Sequence, residues 1–135
     1  MVGVEASPLL AFTVAAGLKI YKSGRADADA AMRRVQVVRA EAADYLRILP
    51  PDIFDVVYFD PMFRFGVKTS ANMKPLRPLA FEKLLDGELI GLALKAAPRV
   101  VIKERSEDYL KSLGCTELQG GRYSRVKYGI IRREQ

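Results

Sequence analysis

The stretch Val56-Val57-Tyr58-Phe59-Asp60-Pro61-Met62-Phe63 decides the reading of this chain. A short β-branched and aromatic run that stops abruptly at Asp-Pro predicts a buried strand whose carboxyl end delivers a loop. In open α/β sheets, ligands bind beyond the carboxyl ends of the strands. The strand over 55–60 therefore presents an acid, a rigid proline and an aromatic ring where chemistry takes place. Asp60 can accept hydrogen bonds from an –NH2 group. Pro61 fixes φ and offers a carbonyl with no competing N–H, which can take the second amine hydrogen. Phe63 offers a face for base stacking, worth ~1–3 kcal/mol per base. This layout suits an enzyme acting on a flat, amine-bearing ring, although Asp-Pro alone is also common in ordinary turns.

Working outward, strands and helices alternate. Val2 to Glu5 predicts a strand, and Ser7-Pro8 supplies an N-cap and a first-turn proline for a helix over 8–21. A second helix is expected over 27–34, a strand over 35–39 and a short helix over 42–49 that stops at Pro50-Pro51. Phe81, Leu85, Leu89, Leu92 and Ala96 form an apolar helical stripe ended by Pro98, with Gly87 and Gly91 expected to weaken or bend that helix. A strand over 99–103, a helix over 107–113 closed by Gly114, and strands over 116–119 and 127–132 complete the chain. Alternation followed by a terminal antiparallel pair predicts an α/β fold, a doubly wound sheet in one domain. Glu5, Glu41 and Asp60 then close three successive strands on one edge of the sheet. The polar, proline-bracketed segment 65–78 is expected to be loose.

Composition narrows the function classes. The chain has 135 residues, half of them hydrophobic, enough for a real core. No apolar run approaches the ~20 residues of a membrane span, and the apolar segment 8–20 lacks the basic leader of a signal peptide. One cysteine excludes an internal disulfide, and the lack of histidine removes the usual zinc ligand and general base. A cytoplasmic protein with no metal and no membrane association is the simplest expectation. Residues 1–60 carry 7 basic and 8 acidic side chains, whereas residues 61–135 carry 15 and 8. Two stretches hold no acid at all: 64–77, with Arg64, Lys68, Lys74 and Arg77, and 122–133, with Arg122, Arg125, Lys127, Arg132 and Arg133. Basic surface beside the Asp60 loop points to a polyanionic substrate, a nucleic acid, against the plainer alternative of a solvated basic face.

The residues Val56 to Phe63 resemble motif IV of the class I S-adenosylmethionine-dependent methyltransferases that modify exocyclic amines. Asp-Pro-Met-Phe is most similar to the motif of the bacterial small-subunit ribosomal RNA guanine-N2 methyltransferase J family. Arg99-Val100-Val101-Ile102-Lys103 resembles that family's strand after its long helix, and the resemblance runs from about Val4 to Lys103. It implies a Rossmann-like methyltransferase sheet with helices on both faces. It implies S-adenosylmethionine as cofactor, with Glu5 and Ala6 on the ribose side, Glu41 and Ala42 near the adenine, and Asp60 near the reacting methyl. Asp60, Pro61 and Phe63 would be catalytic. Met62, Phe63, Arg64, Lys68, Lys74 and Arg77 would meet the substrate, guanine in ribosomal RNA. The family's first strand and glycine-rich loop have no counterpart, and Arg64 replaces the proline after the motif. The chain therefore reads as an N-terminally truncated part of a longer protein. An adenine, cytosine or small-molecule amine methyltransferase, or a noncatalytic RNA-binding domain on the same sheet, remain the alternatives.

Overall fold

The computed structural model describes residues 1–61, 85–121 and 123–134. They fall into two compact units, residues 1–45 and residues 46–61 with 85–134.

The first unit is built on two parallel strands, β1 (Val2–Glu5) and β2 (Gln36–Arg39), which pair in register from Val2 with Gln36 to Glu5 with Arg39. Helix α1 (Pro8–Ile20) starts as its sequence predicts. Ser7 is buried and its Oγ accepts the Leu10 N–H, while Pro8 occupies the first turn, where no N–H is needed. Ala11 is the residue that α1 buries. The apolar residues Leu9, Phe12, Val14 and Ile20 of the same helix are exposed. Helix α2 (Ala26–Arg33) is tied back to α1 by Arg33, whose guanidinium donates to the carbonyls of Leu18 and Tyr21 at the α1 end. Helix α3 (Ala42–Ile48) follows β2, and the boundary between the units falls within it.

The second unit holds a four-stranded sheet in the order β3-β4-β6-β5. Strand β3 (Val57–Phe59) runs parallel to β4 (Arg99–Glu104). Strand β6 (Lys127–Arg132) is antiparallel to both β4 and β5 (Glu117–Gln119), so the expected terminal antiparallel pair is present. Helices α4 (Gly87–Ala96) and α5 (Glu107–Ser112) cover one sheet face. The core there includes Leu89, Ile90, Ala93, Ala96, Val100, Ile102, Leu110 and Ile131. Tyr109 fastens α5 to the segment before α4, its hydroxyl donating to the Leu85 carbonyl at 3.0 Å.

Two readings of the sequence change. Strand β3 is shorter than 55–60 and is not buried on both faces, because Tyr58 is half exposed. Gly87 does not weaken α4: it opens the helix behind Asp86, whose carboxylate caps the Leu89 N–H at 2.8 Å. The start of the apolar stripe at Phe81 lies outside the described residues, as does the segment 65–78. Gly114 does close α5 as expected, with a φ of 87° that a side chain would oppose.

Candidate active site

Asp60 follows the last residue of β3. Its carboxylate faces Lys103 on β4, one step beyond the last paired residues, Phe59 and Ile102. The Lys103 ammonium reaches both oxygens, Oδ1 at 2.9 Å and Oδ2 at 3.0 Å. Parallel pairing produces this contact: residues opposite each other on neighbouring strands share a face. The same row continues across the sheet to Tyr128 of β6 and Gln119 of β5. Tyr58 lies on the same face one row back, opposite Val101.

The electrostatics of this face follow from the contact. Asp60 hydrogen-bonds the Lys103 ammonium and holds its pKa above the usual lysine value, outweighing the opposite effect of burial. Tyr58 is also shifted upward, chiefly by partial burial of its phenol and secondarily by the nearby Asp60 charge. Asp60 keeps about half of its side-chain surface (47%) open, against 26% for Lys103, so a ligand can approach the carboxylate without dislodging the backbone. Pro61 is half-buried directly behind it.

Glu104, the next residue on β4, points the other way. It is buried, and its Oε1 accepts the backbone N–H groups of Arg105 at 2.6 Å and Ser106 at 3.4 Å. It braces the turn into α5.

In the first unit, Glu5 closes β1 and its Oε1 accepts the Ser7 N–H at 2.8 Å. Ala6 follows in the turn to α1. Glu41 and Ala42 stand at the start of α3, where the Glu41 carbonyl accepts the Tyr45 N–H at 3.0 Å. Ala42, the first helical residue, presents one of the N–H groups that a helix leaves without an internal partner. Met62, Phe63, Arg64, Lys68, Lys74 and Arg77 lie outside the described residues.

Three cations of the basic run 122–133 are paired with acids of the fold. Lys127 pairs with Glu107 at 3.4 Å, Arg132 with Glu117 at 2.8 Å and Arg133 with Asp52 at 2.5 Å. Arg133 also donates to the Leu94 carbonyl near the end of α4. The sequence reading missed Lys103 as the partner of Asp60, although it had placed both residues at strand ends. Parallel register between those two strands was the signal that would have joined them.

Residues 1–120 match the family model described as "Putative SAM-dependent methyltransferase". The chain belongs to this S-adenosylmethionine-dependent methyltransferase family, and S-adenosylmethionine is the cofactor that the family uses. Among curated proteins, it is 38% identical over 102 residues to a Bacillus subtilis protein named "Uncharacterized protein YpiP", covering 76% of this chain and 40% of that one. It is also similar to two proteins named "Ribosomal RNA small subunit methyltransferase J". The one from Acinetobacter baumannii is 37% identical over 87 residues, covering 53% of this chain and 31% of the relative. The one from Laribacter hongkongensis is 38% identical over 108 residues, covering 74% and 37%. The chain thus spans less than half the length of the curated relatives it matches. No described helix is long and apolar enough to cross a membrane, and no three described His, Cys, Asp or Glu side chains cluster as metal ligands would.

Proposed function

We propose that this chain is the part of an S-adenosylmethionine-dependent methyltransferase that presents an exocyclic base amine for methylation, and that the base is guanine in small-subunit ribosomal RNA. The observation that carries the reading is Asp60. It is a partly open carboxylate at the carboxyl end of a parallel strand, followed by proline and aligned by Lys103 on the next strand. The names of the relatives support ribosomal RNA as substrate, which would place the work in the cytoplasm.

The residues of the first unit suit the nucleoside end of the cofactor. Glu5 uses Oε1 for the Ser7 N–H, and Oε2 takes no hydrogen bond from a described residue. That oxygen is free for a ribose hydroxyl, with Ala6 beside it. The Glu41 carboxylate and the Ala42 N–H offer an acceptor and a donor to an adenine edge. When bound, S-adenosylmethionine supplies a methyl group on a positively charged sulfur.

At Asp60, a carboxylate oxygen accepts one N–H of the base amine and the Pro61 carbonyl accepts the other. The two contacts turn the nitrogen lone pair away from the protein and hold its position. An Asp60 oxygen would receive the proton that the nitrogen gives up as the methyl carbon exchanges its bond to sulfur, which keeps the electron pair, for one to nitrogen. Lys103 holds both carboxylate oxygens and fixes their plane. Phe63 stacks on the ring, and Arg64, Lys68, Lys74 and Arg77 meet phosphates of the RNA. A target within a duplex must first be flipped out of its stack.

Nucleoside analysis of small-subunit ribosomal RNA, after incubation with this chain and methyl-labelled S-adenosylmethionine, tests the reading. Label in N2-methylguanosine is expected. Label in an adenine or cytosine amine would move the specificity to another base, and no transfer at all would overturn the catalytic assignment. A noncatalytic RNA-binding role has one observation in its favour: both Asp60 oxygens already engage Lys103. Under that reading, calorimetric titration would find no S-adenosylmethionine binding.

A further inference from the structure

The turn between β5 and β6 carries the most exposed described tyrosine of the chain, Tyr123, at 93% of its possible surface. Two residues on, Arg125 is exposed, and its side chain makes no hydrogen bond or ion pair with a described residue. The contrast with its neighbours is informative, since Lys127, Arg132 and Arg133 are all tied to acids of the fold. An arginine and an aromatic ring have been left free at one point of the surface.

The turn itself is braced. Ser124 donates its N–H to the Gly121 carbonyl at 2.9 Å, and its Oγ both donates to the Val126 carbonyl and accepts the Val126 N–H. Gly120 has a φ of 150°, and a Cβ there would come within 2.9 Å of both the Val126 oxygen and the Lys127 side chain. Only glycine lets the two arms close so tightly. The backbone beside Tyr123 is therefore fixed by a short, hydrogen-bonded frame while its ring stands in solvent, so little backbone order has to be imposed on binding.

The register places this tip at a meaningful end of the sheet. Gln119 pairs with Tyr128 where the arms leave the sheet, and Lys127 pairs with Glu104 at the carboxyl end of β4. Strand β3 is parallel to β4, so Asp60 leaves the sheet at that same end. Strands spaced ~4.8 Å apart put β3 and β6 about 10 Å from each other, roughly the span of one or two nucleotides of single-stranded RNA. The row Asp60, Lys103, Tyr128 leads from one to the other along one face.

We infer that the β5–β6 tip is a second RNA contact, in which Tyr123 stacks on a base flanking the target nucleotide and Arg125 meets a backbone phosphate. The inference rests on the proposed RNA substrate and adds residues that lie beyond the family match, which ends at residue 120. Exposed aromatics with a neighbouring arginine form sequence-tolerant platforms for unpaired bases.

The test is binding of a small-subunit ribosomal RNA transcript to the full chain and its variants, with S-adenosylhomocysteine binding as the control for the other site. Tyr123→Ala should weaken RNA binding about tenfold and Tyr123→Phe should restore it, while the control is unchanged in both. Arg125→Ala should lower the slope of log affinity against log salt by about 0.7, a change that Tyr123→Ala should not produce. Because the chain contains no tryptophan, Tyr123→Trp gives a single tryptophan whose selectively excited fluorescence RNA should quench. RNA binding by the parent with unchanged affinity in Tyr123→Ala and Arg125→Ala, and no quenching, would overturn the inference and leave the tip to another partner, such as a protein. A parent chain that binds no RNA would overturn the substrate reading and this inference with it.

Discussion

Lys103 holds both carboxylate oxygens of Asp60 from the neighbouring parallel strand, at 2.9 Å and 3.0 Å. The contact gives the carboxylate a fixed plane and a cationic neighbour without covering it. If that positioning matters, Lys103→Met should lower turnover less than removal of Asp60 does, and Lys103→Arg should recover part of the loss. Steady-state kinetics of the two variants check this, and equal activity in Lys103→Met and the parent would leave the ion pair a purely structural one.

The same pair predicts an alkaline sensitivity. The Lys103 pKa is raised above its ordinary 10.5, mainly by the hydrogen bond to Asp60, so the folded state holds this proton more tightly than the unfolded chain does. The stabilisation is fully present below the unfolded value and is lost as pH rises through the folded one. Tyr58, raised above its ordinary 10.0 chiefly by burial, acts in the same direction. Unfolding midpoints should fall above about pH 10, and Asp60→Asn should flatten the lysine part of that fall. A variant with the parent's alkaline profile would show that the pair does not couple to folding.

Gly129 of β6 has no room for a side chain: a Cβ would collide with the Cys115 sulfur and Leu110 beneath α5. Gly129→Ala should cost about 1–3 kcal/mol through overpacking, and Ile102→Ala on the neighbouring strand about 2–5 kcal/mol through the cavity it leaves. Denaturant titration measures both. Near-parental stability in Gly129→Ala would mean that α5 does not sit as tightly on the sheet as its contacts indicate.

Glu5→Gln should weaken S-adenosylmethionine binding and leave RNA affinity nearly unchanged, because its open oxygen is assigned to the ribose. The substitution keeps an oxygen for the Ser7 N–H, so the start of α1 survives. Parallel titrations with cofactor and RNA separate the outcomes, and a selective loss of RNA affinity would mean that the two sites have been exchanged.

Local chemistry was legible in the sequence where it acts locally. Ser7-Pro8 announced α1, Gly114 announced the end of α5, and Asp60-Pro61 marked the strand end on which the candidate site is built. Pairing between distant segments was less legible. Asp60 and Lys103 meet because two strands 43 residues apart in sequence lie parallel in one register, and no local pattern encodes that register. The partners of the basic run 122–133 were hidden for the same reason. Its charges read as a surface patch, but Glu107, Glu117 and Asp52 neutralise three of them once the sheet forms. Asp86, the cap that starts α4, was hidden inside a longer apolar stripe, which made Gly87 look like a weakness rather than a first residue.

Asp60 is assigned to the amine that receives the methyl group. The most direct measurement is single-turnover methyl transfer to small-subunit ribosomal RNA by Asp60→Ala, with cofactor and RNA binding measured alongside. Transfer at least about 100-fold slower is expected, with both affinities within a few-fold of the parent and an intact fold. Near-parental transfer by Asp60→Ala, with both ligands bound, would contradict that assignment.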